Sequence, residues 1–261
     1  MSDIITERTG GILRVEFNRP AQKNAMTAAM YTTLADTLKA ADADEAVRVV
    51  LLHGAGDAFC AGNDIGDFLK NPPGPGESPQ SALLNALIAF AKPIVVAVQG
   101  VAVGGGSTML THCDFVYAGE SAKFKLPFID LGLVPEFGSS FSIPARIGHL
   151  RAAELFLLGE FFTAAQAEEL GLVTRVVPDP DLLVIATATA QKLVAKPGGA
   201  LRASKRLLKQ ASIGQLKEAA KSESREFSER LRSPEAIEAF TAFREKRPPN
   251  FRNLSKPHAA E

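Results

Sequence analysis

Long apolar runs are missing from this chain. None approaches the roughly 20 consecutive apolar residues that a membrane-spanning helix needs, so no membrane partner is expected. An excess of one charge is missing too. Lys plus Arg and Asp plus Glu both number 29, so there is no global field to draw in nucleic acid or an anionic membrane, and any anion site has to be local. Tryptophan is absent, and there are two cysteines, Cys60 and Cys113. Two thiols in apolar or glycine-flanked contexts exclude a disulfide framework and read as reduced, structural residues. The four histidines, His53, His112, His149 and His258, show no metal-ligand spacing, and no metal site is expected. The start MSDIITERTG lacks a signal-peptide core and a transit-peptide pattern, and the end PHAAE is not a peroxisomal address. A cytoplasmic location is the expectation.

What the chain does have is a core. Apolar residues make up 46% of 261, enough for one large domain or a core with an appendage. Its most informative stretch is 93–114, PIVVAVQGVAVGGGSTMLTHCD. Ile94 to Val98 is a continuous β-branched run, which predicts a strand buried on both faces. Gly104, Gly105 and Gly106 follow at a junction with a helix-like segment. Three glycines in a row cost backbone entropy, so the site needs a geometry or a closeness of approach that a Cβ forbids. One reading is a tight strand-to-helix turn. The other is a set of bare N–H groups that hold an anion. A phosphate cradle is argued against by spacing, since neither GxxxxGK[ST] nor GxGxxG with a later acidic residue is present. An oxyanion hole remains, and it needs a second donor from elsewhere in the chain.

Leu13, Val15 and Phe17 alternate with Arg14 and Glu16 as in a half-buried strand. Thr27 reads as the N-cap of a helix that carries Met30, Leu34, Leu38 and Ala41 on one face and ends near Asp44. Val47 to Leu52 is a second buried strand. Residues 71–80, NPPGPGESPQ, are too rich in Pro and Gly for helix or strand and read as a surface loop or lid. A helix is predicted from Ser81 to Phe90, and short strands at 114–117, 124–127 and 172–177. Four amphipathic helices are predicted at about 181–195, 199–211, 213–231 and 234–246. The order implies an α/β core over 1–195 and a helical C-terminal portion over 196–261, with more apolar stripe than one small core covers. Burial against another subunit is the expected use of the surplus.

Five segments, NRPAQKNAM, FCAGNDI, VQGVAVGGGSTMLTHCDFVYA, FKLPFIDLGLVPEFGSS and AFREKRPPNF, together resemble the enoyl-CoA hydratase/isomerase, or crotonase, superfamily in order and spacing. The resemblance implies a spiral core of ββα turns, an acyl-CoA thioester substrate with no further cofactor, and a homo-trimer or dimer of trimers. It also implies the second donor: the oxyanion-hole amides are those of Asn63 and Gly105. Such a pair stabilises the charge that gathers on a thioester oxygen when the neighbouring carbon loses a proton. For coenzyme A the resemblance points to the Lys23-Asn24-Ala25 turn, to Ala61, and to Lys246, whose point charge suits a 3′-phosphate. Lys246 also reads as part of an ordinary charged helix end.

Hydratases of the family carry two glutamates where this chain has Thr108 and Phe128, so the machinery for adding water is missing. One carboxylate is left, Glu136. The PEFGSS stretch resembles Δ3,Δ2-enoyl-CoA isomerases, in which a glutamate here is the single base. Its apolar neighbours Val134, Pro135 and Phe137 predict a raised pKa. The bland reading of Glu136 is a helix cap. Asp130 reads as an ion-pair or cap residue, and Asp64 and Asp114 as acceptors for local backbone donors. The expected activity is isomerisation of a 3-enoyl-CoA to the 2-enoyl-CoA. The alternatives are a related acyl-CoA reaction on the same base (ring-enoyl-CoA isomerisation, weak hydration or thioester hydrolysis) and a catalytically silent binding protein.

Overall fold

The computed structural model describes residues 2–70 and 78–254. The chain opens with a hairpin of β1 (Ile4–Thr9) and β2 (Ile12–Phe17), turned by Gly10 and Gly11 at φ +57° and +83°. Sequence reading missed β1 because only Ile4 of its six residues is buried, so it has no apolar alternation to show. After α1 (Ala28–Ala43) the chain enters β3 (Val49–Gly54), then α2 (Ile65–Lys70) and α3 (Pro79–Ala89). The expected loop at 71–80 lies largely outside the described residues, but its last part is corrected. Ser78 caps α3, its hydroxyl accepting from the Ser81 amide at 3.1 Å while Ser81 Oγ accepts from the Ser78 amide at 2.8 Å. Pro79 and Gln80 form the first turn. Proline is tolerated there because its missing N–H would have had no intrahelical partner.

The central stretch delivers β4 (Ile94–Val98), β5 (Val101–Val103) and the single helical turn α4 (Gly105–Thr108). Then come β6 (Phe115–Gly119), β7 (Lys123–Lys125), α5 (Ser139–Ile147), α6 (His149–Leu158), β8 (Phe162–Thr163), α7 (Ala164–Glu169) and β9 (Arg175–Val177). Four further helices close the chain: α8 (Leu182–Val194), α9 (Gly198–Gln210), α10 (Ile213–Arg230) and α11 (Pro234–Glu245). A six-stranded sheet runs β1-β2-β3-β4-β6-β9, parallel from β2 onward, and a three-stranded sheet runs β5-β7-β8. From β4 to β7 consecutive strands alternate between the two sheets, as in the expected spiral of ββα units.

The large sheet is covered on both faces. Val50, Leu52, Ile94, Val96 and Val98 point into the main core, while Val49, Leu51, Val95 and Ala97 pack on Leu182, Ala186 and Ala190 of α8. Alternation is invisible in such strands because both sides are apolar. Each fully buried Val or Leu here is worth roughly 1.5–3 kcal/mol. Outside this core, Leu207 and Leu208 on α9 and Leu150 and Leu157 on α6 stay exposed, Leu208 at 84%.

Candidate active site

The Cys60–Asp64 turn is tied to two other segments by backbone bonds. Cys60 donates to Val101 O and accepts from the Val103 amide, both at 3.0 Å, and Met26 donates to Gly62 O at 2.8 Å while the Asp64 amide donates to Met26 O at 2.9 Å. These bonds use the peptide groups on either side of Asn63. Among the described residues its own N–H finds no acceptor, and neither does that of Gly105, the first residue of α4.

The three glycines answer three different constraints. Gly104 has φ +53°. A Cβ on Gly105 would lie 2.8 Å from the Tyr31 hydroxyl and 3.1 Å from Glu136 Oε1, and one on Gly106 would lie 2.6 Å from Cys60 O. The Gly105 figure also places Glu136: its carboxyl sits directly against the residue that presents the second free amide.

Glu136 Oε1 is buried and has no hydrogen-bond partner. Burial, and then the negative charge of Glu223, push its pKa up to about 8. The helix-cap reading of Glu136 fails, because Gly138 holds the N-cap position of α5 and makes no side-chain cap. The carboxylate that serves that helix comes from Glu223 on α10, which accepts from the Gly138 amide at 2.6 Å and the Ser140 amide at 2.7 Å. Between the two glutamates the backbone is strained: Phe137, a bulky non-glycine residue, has φ +61°, and Gly138 follows at +69°. The other restraint is His112, whose Nε2 lies 2.7 Å from Phe137 O. Burial lowers the His112 pKa to about 4, so the ring is neutral, and the carbonyl partner assigns the proton to Nε2.

Tyr31 completes the frame. Its hydroxyl donates to Asn63 Oδ1 at 2.8 Å, and burial, Glu136 and Cys60, in that order, raise its pKa well above the ordinary value. Sequence reading missed Tyr31 and Glu223 and took His112 only as structural. A signal existed for Glu223, which falls on the same face of α10 as Ile213, Leu216, Ala220 and Phe227, a carboxylate inside an apolar stripe.

The Asn63 and Gly105 amides and Glu136 open on a cleft of about 750 Å³. Phe68 of α2 meets Phe227 of α10 edge-on and Phe240 of α11, each at 6.1 Å, so the C-terminal helices help to wall the site. Thr108 is buried and its hydroxyl donates to Gly104 O at 3.3 Å, while Phe128 is buried beside Phe156. Neither position offers a carboxylate. Asp130 pairs with Lys125 at 2.8 Å. Asp64 accepts from the Asp67 amide and pairs with Arg19, each at 3.0 Å, and Asp114 accepts from the Ile94 amide at 2.8 Å and pairs with Lys205 at 2.7 Å. Asp64 thus holds a local donor, as read, whereas the donor held by Asp114 lies on β4, 20 residues away; each also pairs with a distant cation. Cys60 and Cys113 are buried, with thiol pKa values pushed up to about 12, and are not nucleophiles.

Ala25 and Ala61 line the cleft, and the Ala61 amide donates to Lys23 O at 2.9 Å. Lys23 and Asn24 have φ +48° and +58°. The Asn24 side chain is fully buried, donating to Ala55 O and Ala58 O, so it shapes this turn rather than facing a ligand. Lys246 is exposed at the end of α11 and is not in the cleft lining, whereas Arg247 is.

Two free amides beside a raised carboxylate in an apolar cleft can take a proton from the carbon next to a carbonyl and hold the resulting enolate. The family model for enoyl-CoA hydratase/isomerase matches residues 7–254. The chain belongs to this family. Within the enoyl-CoA hydratase/isomerase family it is 36% identical to enoyl-CoA hydratase EchA19 of Mycobacterium tuberculosis, over 96% of this chain and 97% of the relative. It is 34% identical to enoyl-CoA delta isomerase 2 of Rattus norvegicus, over 94% of this chain and 64% of the relative. The crystal structure of an enoyl-CoA hydratase/isomerase from Pseudoalteromonas atlantica T6c superposes with a TM-score of 0.91 at 38% identity, covering 96% of this chain and all of the other. Hydratase and isomerase relatives stand at similar identity, so the reaction within the family has to be argued from the acid/base groups.

Proposed function

We propose that this member of the family is an isomerase that converts a 3-enoyl-CoA to the 2-enoyl-CoA with a single glutamate base. The carrying observation is the placement of Glu136, its Oε1 unpartnered and packed against Gly105, with Thr108 and Phe128 at the positions where a hydratase has its carboxylates. The thioester oxygen accepts from the Asn63 and Gly105 amides. Ionised Glu136 takes a proton from C2, the electrons of that C–H bond spread into a dienolate over O, C2 and C4, and the protonated carboxyl returns the proton to C4. The carbonyl re-forms and the double bond stands between C2 and C3. A base with a pKa near 8 is suited to both halves of the shuttle, since it neither holds the proton too tightly nor gives it up too easily at neutral pH.

The cleft-lining Ala25 and Ala61, with the Lys23-Asn24 turn behind them, would meet the adenine end of coenzyme A, and the exposed Lys246, next in the chain to the cleft-lining Arg247, would reach its 3′-phosphate from the rim. The exposed leucines of α6 and α9 support assembly into a trimer or a dimer of trimers. Sedimentation should show a trimer-based species, and a stable monomer at micromolar concentration would contradict that assembly.

The direct test is ultraviolet absorbance of a 3-enoyl-CoA, which gains the band of a conjugated thioester as it isomerises. Hydration of crotonyl-CoA should be very weak by comparison. A hydration turnover near the isomerase turnover would overturn the assignment.

A further inference from the structure

Glu136 borders two hollows. One is the cleft that holds the amides; the other is a small chamber of about 70 Å³ between α3 and α10, and Phe68 and Phe227 are also common to both walls. An acyl chain whose C2 and C4 lie against Glu136 therefore reaches this chamber with its distal carbons. A pocket for plain hydrocarbon would be apolar, because burying polar groups against alkyl carbon leaves them unpaired. Leu84, Phe137 and Ala220 fit that description, but the rest of the wall does not: Ser78, Gln80, Ser81, Glu223, Ser224 and Ser228 all face the chamber.

Counting donors and acceptors shows what the chamber is missing. Three of the serine protons are already committed: Ser78 Oγ donates to Ser81 Oγ at 3.3 Å, Ser81 Oγ to Ser78 O at 2.9 Å, and Ser228 Oγ to Ser224 O at 2.9 Å. Glu223 accepts two backbone N–H groups and, while ionised, has no proton to give. While Glu136 is ionised, the state in which it can act as a base, its Oε1 and Gln80 Oε1 are buried acceptors with no partner among the described residues. In that state, among the described residues of the lining, the Ser224 hydroxyl and the Gln80 amide nitrogen remain as donors, so acceptors are in surplus. The occupant has to supply a proton. A carboxylate is excluded as that occupant, because it would face Glu136 and Glu223, the two ionisable groups of the lining.

We propose that this chamber is a subsite for a hydroxyl group on the distal part of the acyl chain, so that the preferred substrates are hydroxylated enoyl-CoA esters rather than plain alkyl ones. The proposal rests on the reading of the cleft as an acyl-CoA site. The hydroxyl donates to Gln80 Oε1 and accepts from Ser224, replacing water that otherwise fills the chamber.

Calorimetric titration with saturated CoA esters tests this without any turnover. Plain and terminally hydroxylated esters of matched chain length form the two series. At the length that reaches the chamber, the hydroxylated ester should bind about tenfold more tightly than its alkyl match. Gln80→Leu should invert that preference, and Ser224→Ala, a smaller change that keeps the helix, should reduce it. The proposal is overturned if the hydroxyl is neutral or harmful at every length, the result expected when the chamber holds only ordered water, or if the preference survives both substitutions. Two failures are distinguishable: equal binding of both series removes the subsite and leaves the acyl-CoA reading standing, whereas no binding of either series removes both.

Discussion

The two sides of the proposed catalytic cleft are built by different means. On the proposed oxyanion side the groups are backbone amides, held by backbone bonds that join the 60–64 turn to β5 and Met26. On the base side the working group is one side chain, and its backbone is strained and held by His112 from after α4 and Glu223 from α10. A backbone site tolerates side-chain changes as long as the turn survives. A side-chain site depends on the side chains that hold it and is easier to damage by substituting any of them.

Predictions can break this contrast or sharpen it. The largest effect should come from Glu136→Gln, which removes the base but keeps its size: the isomerase rate should fall by roughly 10²–10⁴-fold, and exchange of the C2 proton with deuterated solvent should fall with it, while CoA-ester binding holds. Next is Gly105→Ala. The new methyl would meet the Tyr31 hydroxyl and Glu136 Oε1, displacing amide and base together, so a loss of about 10²–10³-fold in kcat is expected. Asn63→Ala should cost only about tenfold, because the amide stays and only the Tyr31 anchor goes. Equal losses from Gly105→Ala and Asn63→Ala would show that the Asn63 side chain, not its backbone, serves the oxyanion.

A smaller effect, of a different kind, is expected from Glu223→Gln. Burial and the Glu223 charge both raise the Glu136 pKa, so kcat/KM should climb with pH through an apparent pKa near 8 and fall away below it as the base is protonated. Removing the like charge lets Glu136 ionise at lower pH, so this limb should move toward acid, though not to the ordinary carboxylate value, since the burial persists. An unmoved limb would mean that Glu223 only caps α5. The smallest effect should be that of Asp130→Asn, below about tenfold, because its exposed pair with Lys125 contributes little. Should Asp130→Asn abolish activity while Glu136→Gln retains it, the base is on the wrong carboxylate.

This contrast also explains what could be read in the sequence. Gly104 to Gly106 are contiguous, so their composition already suggested bare amides, whereas the Asn63 amide was implied only by the family resemblance of its segment. Glu136 was visible through its apolar neighbours and the family resemblance of its segment. Tyr31 and Glu223 were not, because their meaning lies in contacts made 32 and 85 residues away along the chain. The strands β3 and β4 were legible from continuous apolar runs; β1, an edge strand with one buried residue, had no pattern to find. At α3 the composition misled, since a proline read as a loop residue occupies the one helical turn that accepts it.

The reach of α10 and α11 into the cleft has a consequence for the order in which the enzyme is made. A ribosome releases the chain from its N-terminus, and both amides of the oxyanion side are complete by residue 105. The base arrives at residue 136, but the carboxylate that holds its turn arrives only at 223, and the wall at Phe240 later still. A chain that ended before α10 would carry Glu136 and both amides but not the carboxylate that holds the Glu136 turn. The turn that carries Glu136 is thus the part of the site whose partners come last along the chain.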